Sequence, residues 1–259
     1  LYYQYNPTGN DWGNMHWGHA VSTNLVEWEH RPVALNAEPW GVGYMFSGCA
    51  VIDHDNRSGL GQGGKPPMIA IYTSCNVAGI QAQSIAVSHD NGESFRQYPG
   101  NPVIENPGTR DFRDPKVIWH EETAHWVLAL AADDHIELYR SQNLVDWERT
   151  SRLTKPYGAH KGVWECPDLF PMRTDVGERK WVLTVSVSPE HSKRDESVQY
   201  FVGEFDGRVF TPQSEAETWL DFGADNYGAV TWDGVPAEDG RRIMIGGMGP
   251  KKTLRMVAQ

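Results

Sequence analysis

Two short phrases of this chain hold carboxylates in settings suited to proton transfer and charge stabilisation: Phe112-Arg113-Asp114-Pro115 and Trp164-Glu165-Cys166-Pro167-Asp168. A guanidinium beside Asp114 favours its ionised form, whereas a Glu flanked by Trp and Cys is expected to keep its proton. One ionised carboxylate and one protonated acid facing each other across a cleft are the equipment of glycoside hydrolysis. A residue before proline is pushed toward extended backbone, so Pro115 and Pro167 are expected to fix the direction of Asp114 and of the Glu165–Cys166 strand. An ordinary surface Arg–Asp pair and a solvated Glu fit the same residues about equally well, because paired carboxylates are often structural.

Other chemistries meet obstacles. His120-Glu121-Glu122-Thr123-Ala124-His125 places its second His one position too late for a zinc-binding helix, and a strand pattern follows it. Asp53-His54-Asp55-Asn56-Arg57-Ser58-Gly59 starts like a calcium loop, but Arg57 and Ser58 replace the fifth ligand and the required Gly. No metal site is expected. Neither a Gly-x-Ser-x-Gly elbow nor a phosphate-cradling Gly-rich loop is present. With 23 Lys and Arg against 34 Asp and Glu, the net charge of −11 lacks the basic footprint of nucleic-acid binding. Apolar runs stay well short of the roughly 18 residues of a membrane-spanning helix, so no membrane partner is expected either. Cys49, Cys75 and Cys166 are too few and scattered for a disulfide scaffold or zinc site and are expected to be buried thiols.

The elements that must carry these phrases are strands. Eleven Trp, 10 Tyr and 8 Phe sit in a chain rich in turn formers, with 26 Gly and 16 Pro, which indicates an all-β fold of many short strands. Most of the aromatics are expected in the core, and some to stack on sugar rings. One phrase repeats: Ser22-Thr23-Asn24-Leu25-Val26-Glu27-Trp28 returns as Ser141-Gln142-Asn143-Leu144-Val145-Asp146-Trp147, with looser copies ending at Phe95 and Phe210. Steps of roughly 50 to 70 residues, each holding several strands, point to the blades of a β-propeller. Short apolar strands (68–73, 126–130, 181–187 and 242–246) recur in step with the phrase. The polar clusters before them, measured at Ser47, Asp114, Glu165 and Tyr227, keep nearly the same spacing. Residues at equal phase in successive blades are expected to converge at one end of the propeller axis.

Five ordered phrases together resemble glycoside hydrolase family 32, the β-fructosidases. They are Tyr3-Gln4-Tyr5-Asn6-Pro7, the 12–20 stretch from Trp12 to Ala20, Phe46-Ser47-Gly48, and the Arg113-Asp114-Pro115 and Glu165-Cys166-Pro167 clusters. The wider phrasing is most similar to microbial exo-acting inulinases and levanases. The resemblance implies a five-bladed propeller followed by a β-sandwich, and retaining hydrolysis through a covalent fructosyl-enzyme without a cofactor. By the same resemblance Glu165 is the general acid/base and Asp114 the transition-state stabiliser that binds fructose hydroxyls. Gln4, Trp12, Phe46, Ser47 and Arg113 fall at sugar-binding positions. Fructan or sucrose is the implied substrate, and a polymeric substrate implies an extracellular or periplasmic site of action.

Departures from the family pattern set further expectations. The family's nucleophilic Asp lies in a phrase upstream of Tyr-Gln-Tyr-Asn-Pro, and no residue here matches it, so the 259 residues alone are expected to be inactive. Residues 1–250 are expected to form the propeller, with its first blade incomplete and the sandwich absent, and 251–259 an atypical tail. The chain does not begin with Met, so the lack of a visible signal sequence carries no information about compartment. A carbohydrate-binding propeller without catalysis and a fructosyltransferase are the competing readings. The Glu165-Cys166 pair argues against an arabinose-type furanosidase.

Overall fold

The computed structural model describes residues 1–188, 197–223, 226–236 and 238–248. The expected tail at 251–259 lies outside the described residues. Apart from a single 3-10 turn, Glu121–Thr123, the described regular structure is all strand. The described residues group into two compact units, one holding Leu1–Val117 and Ser141–Trp147, the other Ile118–Arg140 and the described residues from Glu148 to Met248.

The first unit contains two antiparallel meanders of the propeller-blade kind. Strands β1 (Tyr2–Tyr5), β2 (His16–Val21) and β3 (Glu29–Leu35) form one. Strands β4 (Tyr44–Ile52), β5 (Met68–Cys75), β6 (Gln81–Ser88) and β7 (Arg96–Gln97) form the other, paired in chain order. Their apolar faces share a core of Trp17, Leu35, Met45, Ala70, Tyr72, Ala86 and Phe95, against which Tyr2 packs.

Strand β8 (Phe112–His120) runs from the first unit into the second and edges a sheet with β9 (His125–Ala132), β10 (His135–Ser141) and β11 (Glu148–Leu153). A further sheet of the second unit orders β12 (Trp164–Arg173), β13 (Arg179–Val187), β14 (Ser197–Phe205) and β15 (Phe210–Pro212). Strands β16 (Asn226–Thr231) and β17 (Met244–Met248) make a described pair. The core here is built on Leu138, Trp164, Trp181, Leu183, Phe201, Phe205 and Phe210. Of the 29 Trp, Tyr and Phe rings, 13 are buried and 13 half-buried, so fewer of them than expected lie fully in the core, while Trp12, Trp40 and Phe222 stand in solvent.

The repeated phrase folds as a repeated turn. Ser22 Oγ accepts the N–H groups of Asn24 and Leu25, and Asn24 Oδ1 those of Val26 and Glu27. Ser141 and Asn143 accept from the same four relative positions. Both turns pass through left-handed backbone, at Leu25 (φ 62°) and Leu144 (φ 64°), which these side-chain bonds hold in place. In the second copy the turn joins the third and fourth strands of its sheet, so β1–β3 correspond to the last three strands of the other meanders. The short apolar strands read from sequence are β5, β9, β13 and β17, each second in its sheet, although β17 starts at Met244 rather than 242.

Two expectations need correction. The residues before Pro115 and Pro167 are not extended: Asp114 has φ 63° and Cys166 φ 48°. In β12 the cause is a β-bulge, in which the register against β13 shifts between Glu165 and Asp168 and two residues oppose one. Cys75 is buried, but Cys49 and Cys166 are half-buried, the former accepting the Val117 N–H at 3.1 Å.

Candidate active site

Bulges set the direction of the candidate residues. The first strands β4, β12 and β16 each break register after Met45, Glu165 and Tyr227, respectively. Glu165 and Tyr227 therefore hold equivalent positions, as their spacing implied. Ser47 lies two residues past its counterpart Met45, inside the bulge, because a repeat count in the sequence does not see where the extra residue is inserted. Asp114 shares its left-handed backbone with Cys166 and Gly228, the residues directly after Glu165 and Tyr227. Such a conformation in a non-glycine residue costs on the order of 1–3 kcal/mol and concentrates at functional sites.

In the first unit Asp114 is buried, and a chain of hydrogen bonds fixes its backbone. Its N–H donates to Thr73 Oγ1 at 2.9 Å, and Thr73 donates to Gln83 Oε1 at 2.7 Å. The amide of Gln83 in turn donates to the Phe112 carbonyl at 2.9 Å. Arg113 is held beside it, Nη1 donating to Asp111 Oδ1 at 2.5 Å and to Gln81 Oε1 at 3.4 Å. Burial alone would raise the Asp111 pKa, but Arg113 and Arg110 outweigh it and hold the carboxyl below its ordinary value. Thr73, Gln81, Gln83 and Asp111 carry no signal of their own in the sequence. They become visible only when β5 and β6 are laid beside β8.

The sugar-binding candidates of the first unit also meet. Gln4 Nε2 donates to Ser47 Oγ at 2.6 Å, joining β1 to β4. The Trp12 ring stands edge-on to Phe46 at 5.2 Å between centroids and is 70 % exposed, leaving a flat apolar face in water. The Trp17 indole N–H donates to the Phe46 carbonyl at 2.8 Å, so the platform under Trp12 is anchored in the core. An exposed indole on a rigid base is suited to stacking on a sugar ring.

In the second unit Glu165 is half-buried and accepts a hydrogen bond at Oε2 from the Tyr227 hydroxyl. Asp168, fully buried at the far side of the bulge, accepts from Thr231 N and Oγ1 at 2.5 and 2.7 Å, pinning β16 to β12. The residues of the rejected metal phrases have other uses. Asp53 accepts the N–H groups of Arg57 and Ser58 within its own loop, and the His120 ring stacks on Trp181.

Comparison with known proteins gives this arrangement a context. The profile described as the glycosyl hydrolases family 32 N-terminal domain matches residues 1–257. The chain belongs to glycosyl hydrolase family 32. This family-32 chain is 48 % identical over 252 residues to a levanase of Bacillus subtilis (strain 168), covering 96 % of the chain and 37 % of that protein. To an extracellular exo-inulinase of Aspergillus awamori it is 40 % identical, covering 96 % of the chain and 52 % of the relative. The crystal structure of exo-inulinase from Aspergillus awamori superposes with a TM-score of 0.89 at 39 % identity, over 96 % of this chain and 54 % of that one. A Schwanniomyces occidentalis β-fructofuranosidase complexed with fructosyl-erythritol gives a TM-score of 0.83 at 35 % identity, covering 90 % of this chain and 46 % of that one. The family-32 chain thus spans about half the length of these relatives, or less.

Proposed function

We propose that this chain is the catalytic propeller, residues 1–250, of an enzyme that releases terminal fructose from levan, inulin or sucrose. Its propeller is read as five-bladed, and its chemistry as retaining double displacement. The observation that carries the reading is the setting of Glu165: a half-buried carboxylate at a bulge, one oxygen held by Tyr227, next to the residue with left-handed backbone. That is how a general acid/base is presented, with its direction defined by a hydrogen bond.

Roles follow from chemistry. Glu165 gives its proton to the departing sugar oxygen as the glycosidic bond breaks, then takes one from the attacking water. Asp114, rigidly braced by Thr73 and Gln83, accepts hydrogen bonds from fructose hydroxyls, which strengthen as positive charge develops on the ring. Arg113, held by Asp111 and Gln81, contributes donors to the same sugar. Gln4, Ser47, Phe46 and Trp12 bind substrate through two polar groups and an aromatic face. None of these roles calls for a metal or cofactor.

Two of the similar proteins are named a levanase and an extracellular exo-inulinase, which supports a fructan substrate and action outside the cell. The covalent step needs a second carboxylate as nucleophile, and no residue among the 259 stands in the family's nucleophile phrase. A polypeptide of residues 1–259 alone is accordingly expected to release no fructose. The test is fructose release from levan, inulin and sucrose by the protein expressed at the full length of its gene. Activity on at least one of them that Asp114→Asn lowers by about 10²-fold or more supports the reading. Sugar binding without any release would favour a carbohydrate-binding role instead, and transfer of fructose to sugar in place of water a fructosyltransferase.

A further inference from the structure

We propose that Trp40 is an outer sugar-binding position, stacking on a fructosyl unit beyond the terminal one, and that it suits the site to fructan chains more than to sucrose. This rests on the fructosidase reading and names the substrate class that the site favours. Trp40 is 93 % exposed, yet its backbone is held firmly. It stands in a tight turn closed by a bridge between Glu38 and Gly43. The Glu38 N–H donates to the Gly43 carbonyl at 2.9 Å, and the Glu38 carbonyl accepts the N–H groups of Gly41 and Gly43, both at 2.8 Å. Pro39 fixes φ just before the indole. Two residues after it, Val42 turns inward against the core of Trp17, Met45 and Tyr72. Gly43 has φ 108°, and a Cβ there would come within 2.2 Å of the Cys75 carbonyl oxygen, so the turn lies against the end of β5. The Trp40 ring itself buries almost nothing and adds little to stability.

The turn sits at the end of the first unit where β4 begins, and the candidate site is at the same end. Tyr44, the first residue of β4, pairs with Cys75, the last of β5. The loop that carries Trp12 joins this end as well, because the Met15 carbonyl accepts the Met45 N–H at 2.9 Å. His16 Nδ1 accepts the Ala37 N–H at 3.1 Å, tying the approach to the Trp40 turn to β2. Met15, Phe46 and Cys75 pack together beneath, with Tyr44 against them. Gln4 meets Ser47 here, and Gln81, which opens β6, accepts the Phe112 N–H at 2.8 Å and a bond from Arg113. Trp40 and Trp12 thus share one rim with the polar groups assigned to the terminal sugar.

Spacing separates their tasks. Ser47 stands about 10 Å along the strand from Tyr44, and Trp40 lies beyond Tyr44 in the preceding turn. It is therefore placed for later units of a chain and not for the sugar that Gln4 and Ser47 hold. Continuity with those groups makes a fructan chain the occupant. An indole held by a bonded turn offers a flat apolar face that costs little ordering entropy when a sugar ring stacks on it.

The experiment compares the full-length wild type with Trp40→Ala and Trp40→Phe on levan, inulin and sucrose. Trp40→Ala is expected to lower kcat/KM on at least one polymer by about three- to tenfold through KM, with kcat/KM on sucrose within twofold. Trp40→Phe, which keeps a ring, should recover most of the loss. Unchanged kinetics on both polymers, or a loss on sucrose as large as on the polymers, would overturn the proposal. So would a change in oligomeric state on gel filtration with normal polymer kinetics, which would make the ring a contact between copies. Electrophoresis of the same proteins through native gels containing levan or inulin reads binding without catalysis. If the wild type releases fructose and Trp40→Ala behaves normally in both assays, only the outer position has failed. If the wild type releases none but is retarded by a polymer in a Trp40-dependent way, the fructosidase reading has failed and the sugar-binding position stands.

Discussion

Replacing Glu137 with Gln tests the electrostatics of the second unit. Glu137 on β10 is 1 % exposed yet ionised, accepting from the Tyr139 hydroxyl at 2.5 Å, from Arg149 at 3.0 Å and from Arg152 Nε at 2.9 Å. Burial alone would raise its pKa, but hydrogen bonds with His135 and Tyr139 and the charges of Arg149 and Arg152 outweigh it and hold the carboxyl at about 2. Against an ordinary value of 4.5, that depression corresponds to about 3 kcal/mol of stability at neutral pH. Breaking a buried pair by removing one partner costs about 3–5 kcal/mol, and here the cost belongs at the lower end. The side chains of Arg149 and Arg152 are 46 % and 50 % exposed and regain water when the carboxylate goes.

The sign of the pH dependence follows. A carboxyl whose folded pKa is depressed contributes fully above its unfolded value and loses that contribution as pH falls toward the folded value. Urea unfolding at pH 7 should show Glu137→Gln less stable by about 3 kcal/mol, and the gap should shrink steadily between about pH 5 and pH 2. Equal stability at pH 7, or a gap that stays constant down to pH 2, would refute the reasoning.

Thr73→Val removes the acceptor of the Asp114 N–H and the donor to Gln83 while keeping the volume. It is expected to cost about 1–3 kcal/mol in urea unfolding and to lower kcat on sucrose more than it changes KM. Trp12→Ala, at an exposed ring, should leave stability within about 0.5 kcal/mol of wild type while raising KM for fructan several-fold, as steady-state kinetics would show. Trp164→Ala empties a fully buried site next to Glu165 and should destabilise by about 3–5 kcal/mol in the same unfolding assay.

What the sequence makes legible here is what depends on neighbours along the chain. The Ser-x-Asn phrase encodes its own turn, because Ser22 and Asn24, like Ser141 and Asn143, bond backbone within three residues. Aromatic content and abundant turn formers likewise announce an all-β fold, and the second strands of the sheets are readable from their apolar runs. What stays hidden depends on register. The bulge after Glu165 turns Cys166 left-handed in spite of the following proline, and it decides which residues of successive sheets are equivalent. Nothing local to Glu137, Arg149 or Arg152 announces their ion pairs, which form because the β10–β11 pairing sets Glu137 opposite Arg152. Tyr227 stands 62 positions from Glu165, and nothing local to either residue announces their hydrogen bond.

The most direct test of the central claim is the rate of fructose release from levan, inulin and sucrose by the full-length protein with and without Glu165→Gln. If Glu165 is the acid/base, the wild type releases fructose from at least one of them and the variant loses about 10²- to 10⁴-fold in kcat. A variant that releases fructose at the wild-type rate would contradict the assignment of Glu165 and the mechanism built on it.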